Sequence, residues 1–89
     1  MTTIIIDGRR LKTKKRAHEY LAEKLSFPSY YGKNLDALHD VLTSYGKPTC
    51  LRVRYPASIT TNLGKYGETL LQVLNDAEKV NKNISIDIE

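Results

Sequence analysis

Apolar residues recur along this chain with two different periods, and each change of period marks a new element. Ile4, Ile5 and Ile6 form a short β-branched run closed by Asp7-Gly8, which predicts a strand ending in a turn. From Thr13 onward the period becomes helical. Ala17, Leu21 and Leu25 form a stripe flanked by Tyr20 and Ala22, and Pro28 stops the pattern. A second helix opens at Asn34, a favourable N-cap, and carries Leu35, Leu38, Val41, Leu42 and Tyr45 before Gly46 and Pro48 end it. Leu51, Val53 and Tyr55 alternate with Arg52 and Arg54, which predicts a strand with one wet face, cut off by Pro56. Ala57 to Leu63 reads as a short irregular turn of helix. Leu70, Leu71, Val73, Leu74 and Ala77 mark a long helix from about Lys65 to Val80, and Ile84, Ile86 and Ile88 alternate with Ser85 and Asp87 as a last strand.

The predicted order is β-α-α-β-α-α-β. Strands separated by helices pair in parallel, with right-handed crossovers. Because the second and third strands each offer one apolar face, the helices must share one side of the sheet. That requires the chain to step steadily across it, giving strand order 1-2-3. The expected fold is therefore a two-layer α/β domain with a three-stranded parallel sheet and all helices on one face. At 89 residues it is expected to be one domain spanning 1–89, since two halves would each be too small to bury a core.

Composition narrows the classes. A hydrophobic content of 40% with 27% charged residues describes a soluble globular protein, and no apolar run approaches the roughly 20 residues that cross a bilayer. The start, Met1-Thr2-Thr3, lacks a basic leader, so the cytoplasm is the default address. Cys50 is alone and only His18 and His39 accompany it, so neither a disulfide nor a metal site is expected, and no cofactor is implied.

The formal net charge of +4 is unevenly spread. Met1 to Lys33 carries eight Lys/Arg against three Asp/Glu, whereas Asn34 to Gly46 carries two Asp and no basic residue. Asp36 and Asp40 thus share one face of an otherwise uncharged helix. Carboxylates four residues apart repel and cost an isolated helix a few tenths of a kcal/mol. Asp36, in the first turn, recovers about 0.3–1 kcal/mol from the helix dipole, but Asp40 lies about 6 Å further along, where that benefit has faded. A solvated helix face accounts for such a pair blandly. The functional alternative is that two carboxylates at this spacing imitate successive phosphates.

Other candidates carry less. The segment Arg9-Arg10-Leu11-Lys12-Thr13-Lys14-Lys15-Arg16 suits phosphates but has no interleaved aromatic, and a solvated loop and helix start is the favoured explanation. Tyr30, Tyr31 and Tyr45 bracket the acidic helix, as interface anchors or as core rings with a wet hydroxyl. His18 falls on a polar helix face and is expected at the surface. His39 and Asp40 are adjacent on a helix and diverge, so they form no dyad. Cys50 precedes a strand without a nearby base and is expected to be a buried structural thiol. No phosphate loop, nucleophile elbow or nucleophile-base pair is present, which argues against an enzyme.

The run from Phe27 to Asp40, Phe-Pro-Ser-Tyr-Tyr-Gly-Lys-Asn-Leu-Asp-Ala-Leu-His-Asp, resembles the barstar family of intracellular ribonuclease inhibitors, and its Tyr-Tyr-Gly-x-Asn-Leu-Asp core is specific. Gly8, Leu71-Gln72-Val73 and Ile84-Ser85-Ile86 extend the likeness over nearly the whole chain. The resemblance implies the fold reached above from periodicity. It also implies a cytoplasmic monomer that plugs the active site of a secreted or toxin-type, guanyl-preferring microbial ribonuclease in a 1:1 complex, binding neither nucleic acid nor membrane directly. On that likeness Asp40 would occupy the phosphate-binding subsite, opposite catalytic arginines and a histidine. Asp36 and Asp76 would meet basic side chains, and Tyr30 would stack on the rim. Gly32, Asn34, Leu35, Thr43, Ser44 and Tyr45 would add packing and hydrogen bonds.

The chain also departs from the family. Known members are acidic and this one is basic, His39 stands where tryptophan is common, and Lys47 lies at a loop position that is acidic in the best-known member. The competing reading is a small basic nucleic-acid-binding protein using the N-terminal segment with Arg52 and Arg54.

Overall fold

The computed structural model describes residues 1–89. The chain runs through β1 (Thr2–Asp7), a single 3-10 turn (Gly8–Arg10), α1 (Lys14–Leu25), α2 (Leu35–Thr43), β2 (Thr49–Arg54), α3 (Pro56–Leu63), α4 (Lys65–Val80) and β3 (Ile84–Ile88). The three strands are parallel in the order β1-β2-β3, as the alternation predicts. Ile6, Leu51, Val53 and Ile84 are buried against the helices. On the opposite side Ile5, Arg52, Arg54 and Asp87 are exposed. The helices therefore cover one face only.

Local signals set most boundaries. The Thr13 hydroxyl accepts the Arg16 amide at 3.1 Å and starts α1. The helix ends earlier than Pro28 would impose, because Ser26 turns left-handed at φ 55° and its amide bonds back to the Ala22 carbonyl. Tyr55 is not the last inward residue of a strand. It also turns left-handed, at φ 55°, and places Pro56 at the first position of α3, where a missing N–H costs nothing. Residues Pro56–Leu63 then form a regular two-turn helix, not an irregular turn. Cys50 lies inside β2, not before it. It stands on the open side of the sheet, and its thiol is only partly buried.

Gly8 is required by a close approach. A Cβ there would sit 2.3 Å from the Tyr55 carbonyl oxygen and 2.8 Å from that of Arg54, so only glycine lets the 3-10 turn pack on the end of β2. Both sheet edges are partly blunted by side chains. The Asp7 amide donates to the Tyr20 hydroxyl at 3.0 Å, and the Ile86 amide donates to the Glu78 carboxylate at 2.8 Å. Across the open face Arg52 pairs with Asp87 and Arg54 with Glu89, each at 3.2 Å. Such exposed pairs contribute about 0–1 kcal/mol.

α2 is held by Leu38 and Leu42, which are fully buried while α2 packs against α4. Burying each leucine stabilises the fold by roughly 1.5–3 kcal/mol. With that stripe inside, the other side of α2 must face water.

Candidate functional site

The segment between α1 and α2 prepares the N-terminus of α2. Lys33 is left-handed at φ 54°, which delivers Asn34 to the extended conformation of an N-cap. The Asn34 side-chain oxygen accepts the Ala37 amide at 2.7 Å, and its amide nitrogen donates to the Gly32 carbonyl at 3.3 Å. Asn34 therefore caps the helix and ties the preceding loop to it. Asn34→Ala is expected to lower stability by about 1 kcal/mol in urea unfolding, the usual cost of losing such a cap.

Asp36 and Asp40 both face solvent on α2, one turn apart. The chain's own cations leave them free. Asp36 has no ion-pair partner, and the only basic side chain within 4.0 Å of the Asp40 carboxylate is His39, whose Nδ1 stands 4.0 Å from Oδ1, too far for a hydrogen bond. The Asp40 side chain is 87% exposed. It stands at the mouth of a cleft of about 280 Å³, lined also by Pro28, Tyr30, Tyr31, Gly32, Ala37, Val41 and Ser44. Tyr30 is 86% exposed, which is unusual for a large ring.

Of the sequence-predicted residues, Tyr30, Gly32, Asp40 and Ser44 line this cleft, whereas Asn34, Leu35, Asp36, Thr43, Tyr45 and Asp76 do not. The Thr43 and Ser44 hydroxyls donate to the Asp40 carbonyl at 3.1 and 2.9 Å, closing the end of α2. Leu35 is partly buried against the core. Tyr45 is partly buried, and its hydroxyl donates to the Leu25 carbonyl at 3.0 Å, tying α2 to the end of α1. Asp76 is partly buried on the neighbouring α4 and accepts from the Gln72 amide at 2.9 Å.

His18 is the main correction. It is 1% exposed, not a surface residue. The two ring nitrogens each lie 2.7 Å from a tyrosine hydroxyl, Nδ1 from Tyr31 and Nε2 from Tyr66. Both polar atoms are thus satisfied, which is why an imidazole can be buried there. Burial pushes its pKa below the usual histidine value, and burial likewise raises those of the Tyr31 and Tyr66 phenols. A neutral ring donates from one nitrogen and accepts at the other, so it matches two hydroxyls. Tyr31 also packs on Phe27, with ring centroids 4.8 Å apart. This cluster anchors the loop that presents Tyr30. A signal for it was present: His18 stands three and seven residues before Leu21 and Leu25, which puts it on the buried stripe.

The family model described as Barstar (barnase inhibitor) matches residues 1–88. The chain belongs to the barstar family. It is also 41% identical over 80 residues to a Bacillus subtilis (strain 168) protein named "Putative ribonuclease inhibitor YrdF", covering 89% of this chain and 88% of that relative. No group of three or more His, Cys, Asp or Glu side chains is placed to hold a metal ion. No helix is long and apolar enough to cross a membrane.

Proposed function

We propose that this protein inhibits a guanyl-preferring ribonuclease of the secreted or toxin type by seating α2 and the Tyr30–Asn34 loop in its active site. The observation that carries this reading is the pair of free carboxylates, Asp36 and Asp40, on one exposed face beside a cleft and a solvent-standing tyrosine. A ribonuclease holds its anionic substrate with Arg, Lys and His. Carboxylates put where phosphates bind form charge-assisted hydrogen bonds with those groups and exclude RNA. Membership of the barstar family and the name of the Bacillus relative support the same role.

In this reading Asp40 takes the phosphate subsite, Asp36 meets flanking cations, and Asp76 adds an acidic contact from α4. Tyr30 covers the active-site rim. Gly32 and Leu35 pack, while Asn34, Thr43, Ser44 and Tyr45 contribute the surrounding surface and spare hydrogen-bond acceptors. The inhibitor works as a monomer in the cytoplasm, where it protects the cell from the nuclease by occlusion without chemistry of its own. The test is a titration of a barnase-type ribonuclease with this protein. Activity is expected to fall linearly to a 1:1 end point, and full activity at a several-fold excess over each guanyl-preferring ribonuclease tried rejects the reading.

A further inference from the structure

Away from α2 the molecule carries a second charged surface of opposite sign. Five cations of the segment before and within α1, namely Arg10, Lys12, Lys14, Lys15 and Arg16, are exposed and have no acidic group within 4.0 Å. Arg9 differs, because Asp7 holds its guanidinium through two side-chain hydrogen bonds at 3.0 and 2.9 Å. Although the segment contains no aromatic residue, the fold brings three tyrosines to it from elsewhere in the chain. Arg9 lies 4.1 Å from the Tyr55 ring centre, Arg10 lies 5.4 Å from Tyr20, and Lys14 Nζ lies 4.7 Å from Tyr66. Tyr55 remains 45% exposed.

Between the 3-10 turn and α1 lies a cleft of about 350 Å³, lined by Arg10, Lys12, Arg16, Glu19, Tyr20 and Glu23. It shares no lining residue with the cleft beside Asp40.

We infer that this basic, tyrosine-bearing surface binds single-stranded nucleic acid, independently of the acidic face. Unpaired arginines and lysines supply phosphate contacts, and the exposed Tyr55 ring supplies a stacking platform that tolerates any base. Glu19 and Glu23 argue against a bare polyanion or a charged lipid surface. Their carboxylates repel both, yet accept hydrogen bonds from the amino and imino N–H groups of bases. The inference does not rest on ribonuclease inhibition.

The test is fluorescence anisotropy of a labelled 12-nucleotide oligoadenylate, with inorganic polyphosphate and phosphatidylserine-containing vesicles as base-free probes. The oligonucleotide is expected to bind at roughly 10⁻⁴–10⁻⁶ M near physiological salt, with a log–log salt slope no steeper than about −3.5, the limit for five phosphate contacts on a single strand. The triple variant Arg10→Glu, Lys12→Glu, Arg16→Glu should lose at least about ten-fold in affinity, since reversal replaces attraction by repulsion. Tyr55→Leu keeps every cation and should weaken oligoadenylate binding about five-fold or more, leaving polyphosphate affinity unchanged. Asp36→Lys with Asp40→Lys should leave oligoadenylate binding intact or tighter, which separates this surface from the acidic face. Circular dichroism confirms that each variant is folded. Equal or tighter binding of the base-free probes, or a folded triple variant with undiminished affinity, overturns the assignment.

Discussion

Asp40→Ala is expected to weaken inhibition of the target ribonuclease by about 2–5 kcal/mol, or roughly 30- to 5,000-fold in dissociation constant, because in the proposed complex it would leave a desolvated cationic pocket without its counter-charge. That range is the general cost of truncating one partner of a buried charge pair, and it falls within the roughly 1.5–7 kcal/mol known for close charge pairs of the barnase–barstar complex, whose inhibitor belongs to this same family. Asp36→Asn and Asp76→Ala are expected to cost less. Asp36 lies in the first turn of α2, where the helix dipole already offsets part of its charge, and the Asp76 carboxylate is engaged by Gln72. Asp40 has neither attachment and stands at the mouth of the cleft. Its removal should leave folding stability within about 0.5 kcal/mol, since no lysine or arginine of this chain depends on it. The measurement is a set of inhibition constants for the three single variants, alongside their urea midpoints. Equal constants across the series would remove Asp40 from the phosphate-subsite role, and a parallel fall in urea midpoint would assign the effect to folding.

The parts of the molecule governed by a regular period were readable from the chain. Leu51 and Val53 alternating with Arg52 and Arg54 describe a strand with one wet side, and that single fact forces the helices together and the sheet into order 1-2-3. The exposure of Asp36 and Asp40 follows in the same way, because Leu38 and Leu42 claim the other face of α2. Apart from His18, whose spacing from Leu21 and Leu25 places it on the buried stripe, what escaped were features that have no period. Ser26 and Tyr55 end their elements by turning left-handed, a conformation without a sequence signal in a residue other than glycine or asparagine. Tyr30 and Tyr31 are neighbours in a loop, and only tertiary packing sends one into water and the other onto His18. The pairing of Arg9, Arg10 and Lys14 with Tyr55, Tyr20 and Tyr66 was invisible for a related reason. Its partners are brought together by the packing of α1, α3 and α4, not by adjacency.

The buried His18 makes the loop's stability depend on pH, and the direction follows from its environment. Burial depresses its folded-state pKa, whereas in the unfolded chain it titrates near 6.5. Below about pH 6.5 the unfolded chain therefore binds a proton that the folded one resists. Stability contributed by the neutral ring is complete above that point and is lost as pH falls toward the folded-state value. Urea midpoints should accordingly decline from about pH 7.5 to about pH 5.5, and His18→Gln should flatten the decline, because an amide bridges a hydroxyl without titrating. His18→Leu should act more strongly at every pH. It strands the buried Tyr31 hydroxyl and the partly buried Tyr66 hydroxyl, at roughly 1–3 kcal/mol for each group left without a partner, with Tyr66 toward the lower end because water can reach it. Because Tyr31 is adjacent to Tyr30 and lines the cleft beside Asp40, the leucine variant should also inhibit less well at temperatures where it remains folded. A His18→Leu protein with wild-type stability and an unchanged pH slope would show that the two hydroxyls find other partners and that the imidazole does not anchor the loop.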